Sequence, residues 1–166
     1  MNKLSGETKV FLGIILFTVL IIVGAMIFFT KKENAPALSR KDLITPDAHT
    51  FGNASASAYL VEFSDFQCPA CGAYEPIVEQ VRLNFKDKLL FVYRQFPLTQ
   101  HEHADKAARA SEAAARQGKF WEMHDALFSK QANLDDATIN GLVKDLGLNA
   151  DQFNKDISDP AIADNQ

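Results

Sequence analysis

Cysteine is nearly absent from this chain: its 166 residues hold two, Cys68 and Cys71. Two cannot build the disulfide framework of a small secreted scaffold, so stability must come from a packed core. No cysteine stands just behind the N-terminal apolar run, which excludes a lipoprotein anchor. There is no glycine-rich phosphate loop, no serine-nucleophile motif and no metal-ligand cluster in the spacing. Low-complexity tracts and internal repeats are missing as well. At 47% hydrophobic and 23% charged, the composition is that of a globular domain, not a disordered one.

A basic surface is also lacking. The net charge is −4, unevenly spread: residues 1–41 carry +4 and the remainder −8. An acidic globular part offers no electrostatic footprint for nucleic acid. The basic flanks suit lipid headgroups.

What is present begins with Val10 to Phe29, an uncharged run. At 1.5 Å per residue it spans roughly 30 Å, one hydrocarbon core. A cleaved signal peptide has a shorter apolar region with a small-residue cleavage site close behind. Here Lys31-Lys32-Glu33 intervenes before Ala35-Pro36-Ala37. Residues 1–30 are therefore expected to be a tail and an uncleaved transmembrane signal-anchor. The positive-inside count, Lys3 and Lys9 against Lys31 and Lys32, slightly favours the opposite orientation. The short tail and a need for an oxidising compartment place the following domain outside. Residues 31–50 read as a linker, with turn signals at Thr45-Pro46-Asp47 and, just beyond, Gly52-Asn53.

From residue 51 the chain reads as one α/β domain. Ala58–Phe63 predicts a strand apolar on both faces, hence a central strand, with Glu62 as the exception. A buried carboxylate is costly unless it has partners or work. A helix is predicted from Cys68 to about Phe85, with Tyr74, Ile77, Val78, Val81 and Phe85 at helical spacing and Pro76 expected to kink it. Glu75 and Glu79 read as a solvated face. Leu89–Phe96 predicts a second strand, joined by a right-handed parallel crossover. About four helices follow. The first is alanine-rich (Glu102–Gly118), and the second carries the stripe Phe120, Trp121, His124, Leu127, Phe128. The third opens at Asp135 or Asp136, the fourth at Asn149 with Gln152. Asp159-Pro160 begins one more element. Phe120, Trp121 and His124 read as core residues, and His101 and His103 as surface residues at a helix start.

The chemistry lies in Cys68-Pro-Ala-Cys71. A thiol at a helix N-terminus meets unsatisfied N–H groups that favour the thiolate, the attacking species in disulfide exchange. Cys68 is thus the nucleophile, and Cys71, one turn further in, is placed to resolve a mixed disulfide. Pro69 fits the first turn. Asp65 is near enough to oppose ionisation. Zinc needs about four ligands, and the pair supplies two; His101 and His103, two apart, are poor additions. An inert structural pair is the other bland reading.

The strings VEFSDFQCPAC, VYRQFPL, HEHADKAARASEAA and QGKFWEMHDALF together resemble the bacterial DsbA-like branch of the thioredoxin superfamily, from about Phe51 to Asn165. The resemblance implies an exported thiol–disulfide oxidoreductase with a thioredoxin-like sheet and a helical insertion. Under it, Cys68 matches the exposed nucleophile and Cys71 the resolving cysteine. Glu62 matches the buried acid that assists proton transfer, Pro76 a helix-kinking proline, and His101 a histidine of no assigned role. Two departures stand out. Pro-Ala lies between the cysteines where the strongest oxidants have Pro-His. The family's Thr-Pro or Val-Pro loop, C-terminal β-hairpin and last helix are not matched, so the expected domain, 51–166, is incomplete, and the Glu62 strand is expected to become an edge.

The resulting expectation is a single-pass protein of the cell membrane with its catalytic domain extracytoplasmic. It would exchange disulfides with thiol-containing exported proteins through Cys68, Cys71 and Glu62. Neither a metal nor an external cofactor is expected beyond the redox-active pair. A membrane redox partner would reoxidise or rereduce the dithiol. The alternatives are a reductase or isomerase of the same fold, or a non-enzymatic tethered remnant.

Overall fold

The computed structural model describes residues 6–30 and 39–163. The expectations that rest on Lys3, Lys31, Lys32, Glu33, Ala35–Ala37 and the final residues 164–166 lie outside these. The chain divides into two compact units, the second beginning at Arg40.

The first unit is a single helix, α1 (Gly6–Thr30). Gly6–Met26 is long and apolar enough to cross a membrane, with mean hydropathy 2.5 and its side chains uncovered by protein. Its one hydroxyl-bearing residue within the apolar run, Thr18, donates to the Ile14 carbonyl at 2.7 Å. That back-bond is the usual way a helix removes a polar group from an apolar surface.

The second unit contains a short helix α2 (Arg40–Leu43), β1 (His49–Gly52), β2 (Ala58–Ser64), α3 (Pro69–Asn84) and β3 (Leu89–Gln95). A helical block follows: α4 (Ala104–Ala115), α5 (Phe120–Ser129), α6 (Asp136–Asp145), α7 (Ala150–Ile157) and α8 (Pro160–Ala163). The sheet order is β1-β3-β2, with β3 parallel to β2 and antiparallel to β1. The expected β2–α3–β3 crossover is present, as are the helices of the block.

Two expectations change. Part of the stretch read as linker is folded: β1 begins at His49 and pairs His49 with Tyr93 and Phe51 with Phe91. Four residues carry too little periodicity to announce a strand; the edge of β3 supplies what the sequence pattern does not. β2 reads as a central strand from its own residues and as an edge once the unmatched C-terminal hairpin is considered; it is an edge among the described residues, and Tyr59, Leu60 and Phe63 on it are exposed. The central strand is β3, with Phe91, Val92 and Tyr93 essentially inaccessible.

The core sits between β3 and the helical block. Phe91 and Tyr93 pack with Phe66, Phe120, Met123, Leu127 and Phe128, and behind these lie Leu134, Ile139, Val143 and Phe153. The alanines of α4 are buried at Ala107, Ala108, Ala110, Ala113 and Ala114, which lets α5 and α7 approach closely. Caps fix the later helices. Asp135 accepts from the Thr138 N–H at 2.8 Å and Asn149 from the Gln152 N–H at 2.9 Å. The reciprocal half of the expected Asn149 box is supplied differently, since the Asn149 N–H donates to Gln117 Oε1 at 2.8 Å.

Candidate active site

The end of β2 delivers the chain into the loop Asp65–Gln67 and then into α3. Cys68 is the N-cap of α3, with extended backbone (φ −72°, ψ 119°), and Pro69 occupies the first turn. The Cys68 N–H donates to the Asp65 carbonyl at 3.1 Å, and the Cys68 carbonyl accepts from Gly72 at 3.1 Å. Both sulfurs are free thiols, partly exposed. Backbone N–H groups of the first turn, Cys71's foremost, hold the Cys68 thiol below its ordinary pKa, opposed by partial burial and by the Asp65 charge. Cys71 behaves oppositely: burial raises its pKa, against a smaller lowering from the Ser64 hydroxyl. The two thiols are thus shifted in opposite directions, Cys68 toward easier ionisation and Cys71 away from it.

Four further side chains hold this loop in place. Asp65 is buried, and its carboxylate accepts from Gln67 N–H at 2.7 Å and Leu98 N–H at 2.9 Å. It also pairs with His101 Nδ1 at 2.7 Å. His101 is therefore a brace between the cysteine loop and the loop after β3, and His103 N–H donates to Gln67 Oε1 at 2.7 Å in the same joint. From the end of α5, Gln131 Nε2 donates to the carbonyls of Phe66 and Cys68, both at 2.9 Å. A Cβ on Gly72 would strike the Gln131 amide, so glycine here makes room for the clamp. Nothing in the sequence marks Asp65 or Gln131 as an anchor, or Gly72 as the residue that leaves room for one.

Several polar side chains influence Cys71 and one another. Glu62 is in register with Tyr93 on the adjacent strand. Burial raises the Glu62 pKa, with Ser64 and Arg82 lowering it. Tyr93 is wholly buried, and its phenol is pushed well above the usual range by burial, then by Glu62 and Cys71. The sequence places Glu75 on a solvated face, but the structure buries it at 8% exposure, and Arg82 at 4%. The reason is which side of α3 is covered. Residues 71, 75, 78 and 82 face the domain, whereas Tyr74, Ile77 and Phe85, read as its apolar stripe, are exposed. Burial and the nearby Glu62 raise Glu75 to about 8. Arg82 donates to Asp125 Oδ1 at 2.9 Å and lies over the rings of Trp121 and Phe51. His124 is buried with Nδ1 at 2.8 Å from Asp125 Oδ1, as a core histidine should be, and burial lowers its pKa. The fold also gathers Glu75, His124 and Asp125, whose donor atoms lie within 4.8 Å of one another, from positions with no metal spacing in the sequence.

Comparison with known proteins bears on the fold. A thioredoxin family model matches residues 45–165. Among solved structures, a thioredoxin-like oxidoreductase from Silicibacter pomeroyi superposes with TM-score 0.70 at 29% identity, covering 77% of this chain and 73% of that one. The thiol-disulfide exchange protein alpha-DsbA2 from Wolbachia pipientis gives 0.68 at 26% identity, covering 75% and 68%. The Na(+)/H(+) antiporter NhaA 1 of Mycolicibacterium vanbaalenii is 43% identical over 116 residues, 69% of this chain. The match spans only 19% of that curated relative's length.

Proposed function

The chain belongs to the thioredoxin family, and from that premise we propose that it is a membrane-anchored, extracytoplasmic thiol–disulfide oxidoreductase acting through Cys68 and Cys71. The observation that carries this is the placement of the pair: Cys68 caps the N-terminus of α3, with the first-turn N–H groups favouring its thiolate, and Cys71 lies directly behind it, more buried and held protonated. Thiol–disulfide exchange needs this asymmetry, a good leaving and attacking sulfur outside and a resolving sulfur inside.

In the oxidising direction a substrate thiolate attacks Cys68 of the Cys68–Cys71 disulfide. A substrate–Cys68 bond forms, the Cys68–Cys71 bond breaks, and Cys71 leaves as a thiolate that takes up a proton. Glu62, behind the pair with its pKa raised, is the proton donor and acceptor for Cys71. The substrate's second thiolate then attacks the substrate sulfur of the mixed disulfide and expels Cys68. The substrate leaves oxidised and the pair reduced. No external cofactor is consumed; a membrane redox partner restores the pair. Thiol-containing exported proteins are the substrate class. The apolar span of α1 supports tethering to the membrane, and the occurrence of a similar stretch within proteins named as antiporters supports a place beside it. Antiport itself is not proposed, because the matched stretch is a minor part of those chains.

Direction follows from the reduction potential of the pair. A value near about −120 mV marks a strong oxidant and one near about −270 mV a reductase. The test couples that measurement to oxidation of a reduced, unfolded substrate by the full chain in detergent. An oxidising potential with turnover lost in Cys68→Ser supports the proposal. A reducing potential with disulfide cleavage assigns the reductase reading, and no exchange in either direction overturns both.

A further inference from the structure

Asp65 stands where a negative charge works against the nucleophile. It lies three residues before Cys68, is 3% exposed, and its charge opposes formation of the Cys68 thiolate. A charge so enclosed is screened by solvent and salt much less than one on the surface. The segment Cys68-Pro69-Ala70-Cys71 contains no basic side chain to balance it.

The fold has a structural use for the carboxylate. Its Oδ1 accepts from the Gln67 N–H at 2.7 Å and its Oδ2 from the Leu98 N–H at 2.9 Å, so one side chain ties the cysteine loop to the loop after β3. The Asp65 main chain serves the pair as well. Its carbonyl accepts from the Cys68 N–H at 3.1 Å, and its N–H favours the Cys71 thiolate. Removing the side chain would leave two main-chain donors without their acceptor. The loop therefore needs an anion that its own sulfur does not.

His101 is the group that meets this charge. Its Nδ1 is 2.7 Å from Asp65 Oδ2, a length typical of a charge-assisted hydrogen bond. Its own N–H donates to the Leu98 carbonyl at 2.9 Å, which fixes the turn that carries the ring. Around Asp65 the titratable groups are Cys68 and Cys71 from α3 and His101 from the loop after β3. Glu102 is exposed. His103 enters the joint through its main-chain N–H on Gln67 Oε1, and its charge acts on Asp135 instead. Among the described residues, His101 is thus the basic side chain paired with Asp65.

We propose that His101 is a positioning residue for the nucleophile: hydrogen-bonded to Asp65, it holds that carboxylate and offsets its charge, and so sets how readily the Cys68 sulfur attacks and leaves. This rests on the reading of Cys68 and Cys71 as an exchange pair. The N–H donated to Oδ2 places positive charge against the carboxylate, so a smaller net field reaches the sulfur. Without it the two main-chain donors remain, and the anion acts on Cys68 with no side chain to balance it. A less stabilised thiolate makes the reduced pair less stable, and such a pair is a weaker oxidant. This role depends on the charge of Asp65, whereas that of a simple brace does not.

The test uses the full chain in detergent. Reduced protein is alkylated with iodoacetamide from pH 5 to pH 10, Cys68 is followed by peptide mass mapping, and the equilibrium with glutathione is measured above the Cys68 midpoint. His101→Ala is expected to raise that midpoint by roughly half a pH unit, less than the full effect of an adjacent charge because only its balance is lost. The pair becomes about threefold less oxidising against glutathione, the same change expressed as an equilibrium constant. Asp65→Asn moves the midpoint below that of wild type. The double variant Asp65→Asn with His101→Ala keeps the midpoint of Asp65→Asn alone, as a shared charge path requires. His101→Gln, which retains a neutral donor on the same turn, falls between wild type and His101→Ala, and it carries the test if His101→Ala does not fold. Midpoints of both His101 variants equal to wild type overturn the proposal. So does a shift that persists in full in the Asp65→Asn background, which makes His101 a brace acting through loop geometry alone. Failure of wild type to form a mixed disulfide with glutathione removes the exchange reading, and the alkylation midpoints still decide what His101 does to Cys68.

Discussion

β2 and β3 are both seven-residue strands of mixed apolar and polar side chains, yet β3 buries five of its residues and β2 one. The difference is neighbours. β3 has a paired strand on each side, with α4 and α5 supplying much of the core around Phe91 and Tyr93; β2 has one strand beside it, and its outer edge is unpaired among the described residues. An open edge carries unsatisfied N–H and C=O groups and is a template for further pairing. The cysteine loop hangs from the less supported strand. Stability and chemistry are therefore carried by different parts of the domain: the core under the helical block holds it together, and the β2–α3 side presents the thiols.

That separation can be broken in graded steps. The largest effect expected is on chemistry alone. Cys68→Ser should reduce exchange to background while leaving denaturant stability within about 0.5 kcal/mol, as for other exposed substitutions. Next, Phe91→Ala in the central strand should cost about 3–5 kcal/mol in urea unfolding, the usual range for a buried phenylalanine. Comparable loss from Leu60→Ala on β2 would refute the asymmetry; the expectation there is about 0.5 kcal/mol or less. Between these lies Gln131→Ala, which removes the clamp on Phe66 and Cys68. It should cost about 1 kcal/mol and raise the pH midpoint for Cys68 alkylation by loosening the first turn of α3.

The pH dependence has a definite sign. The folded pKa of Cys68 is depressed, so its thiolate stabilises the reduced fold relative to the unfolded chain. That contribution is present above the unfolded thiol pKa and is lost as pH falls through the folded one. Iodoacetamide should modify Cys68 with a midpoint below that of an ordinary thiol and Cys71 with one above it. A single shared midpoint would contradict the asymmetry of the pair.

Much of this was legible from residues alone. The helix-initiating Cys68-Pro69, the crossover from β2 to β3, and the order of the helical block follow from spacing and caps, and Glu62 stands out in the sequence as a carboxylate in an apolar strand. The rest depends on long-range packing. Tyr74, Ile77 and Phe85 repeat at helical intervals and look like an inward stripe, but the side of α3 that the domain covers is that of Cys71, Glu75 and Arg82. Periodicity gives a face, and only the neighbours decide whether it is covered. Arg82 in particular, buried against Trp121 and Phe51, is found from the fold and not from its charge. The Gln131 clamp likewise joins residues more than sixty positions apart.

The central claim is that Cys68 attacks and Cys71 resolves. It is tested most directly by trapping. Cys71→Ser incubated with a disulfide-bearing peptide should accumulate a covalent adduct, located on Cys68 by peptide mass mapping, that persists because the resolving thiol is gone. Cys68→Ser under the same conditions should give none. An adduct on Cys71 in Cys68→Ser at a comparable rate, or no adduct in either variant, would contradict the account.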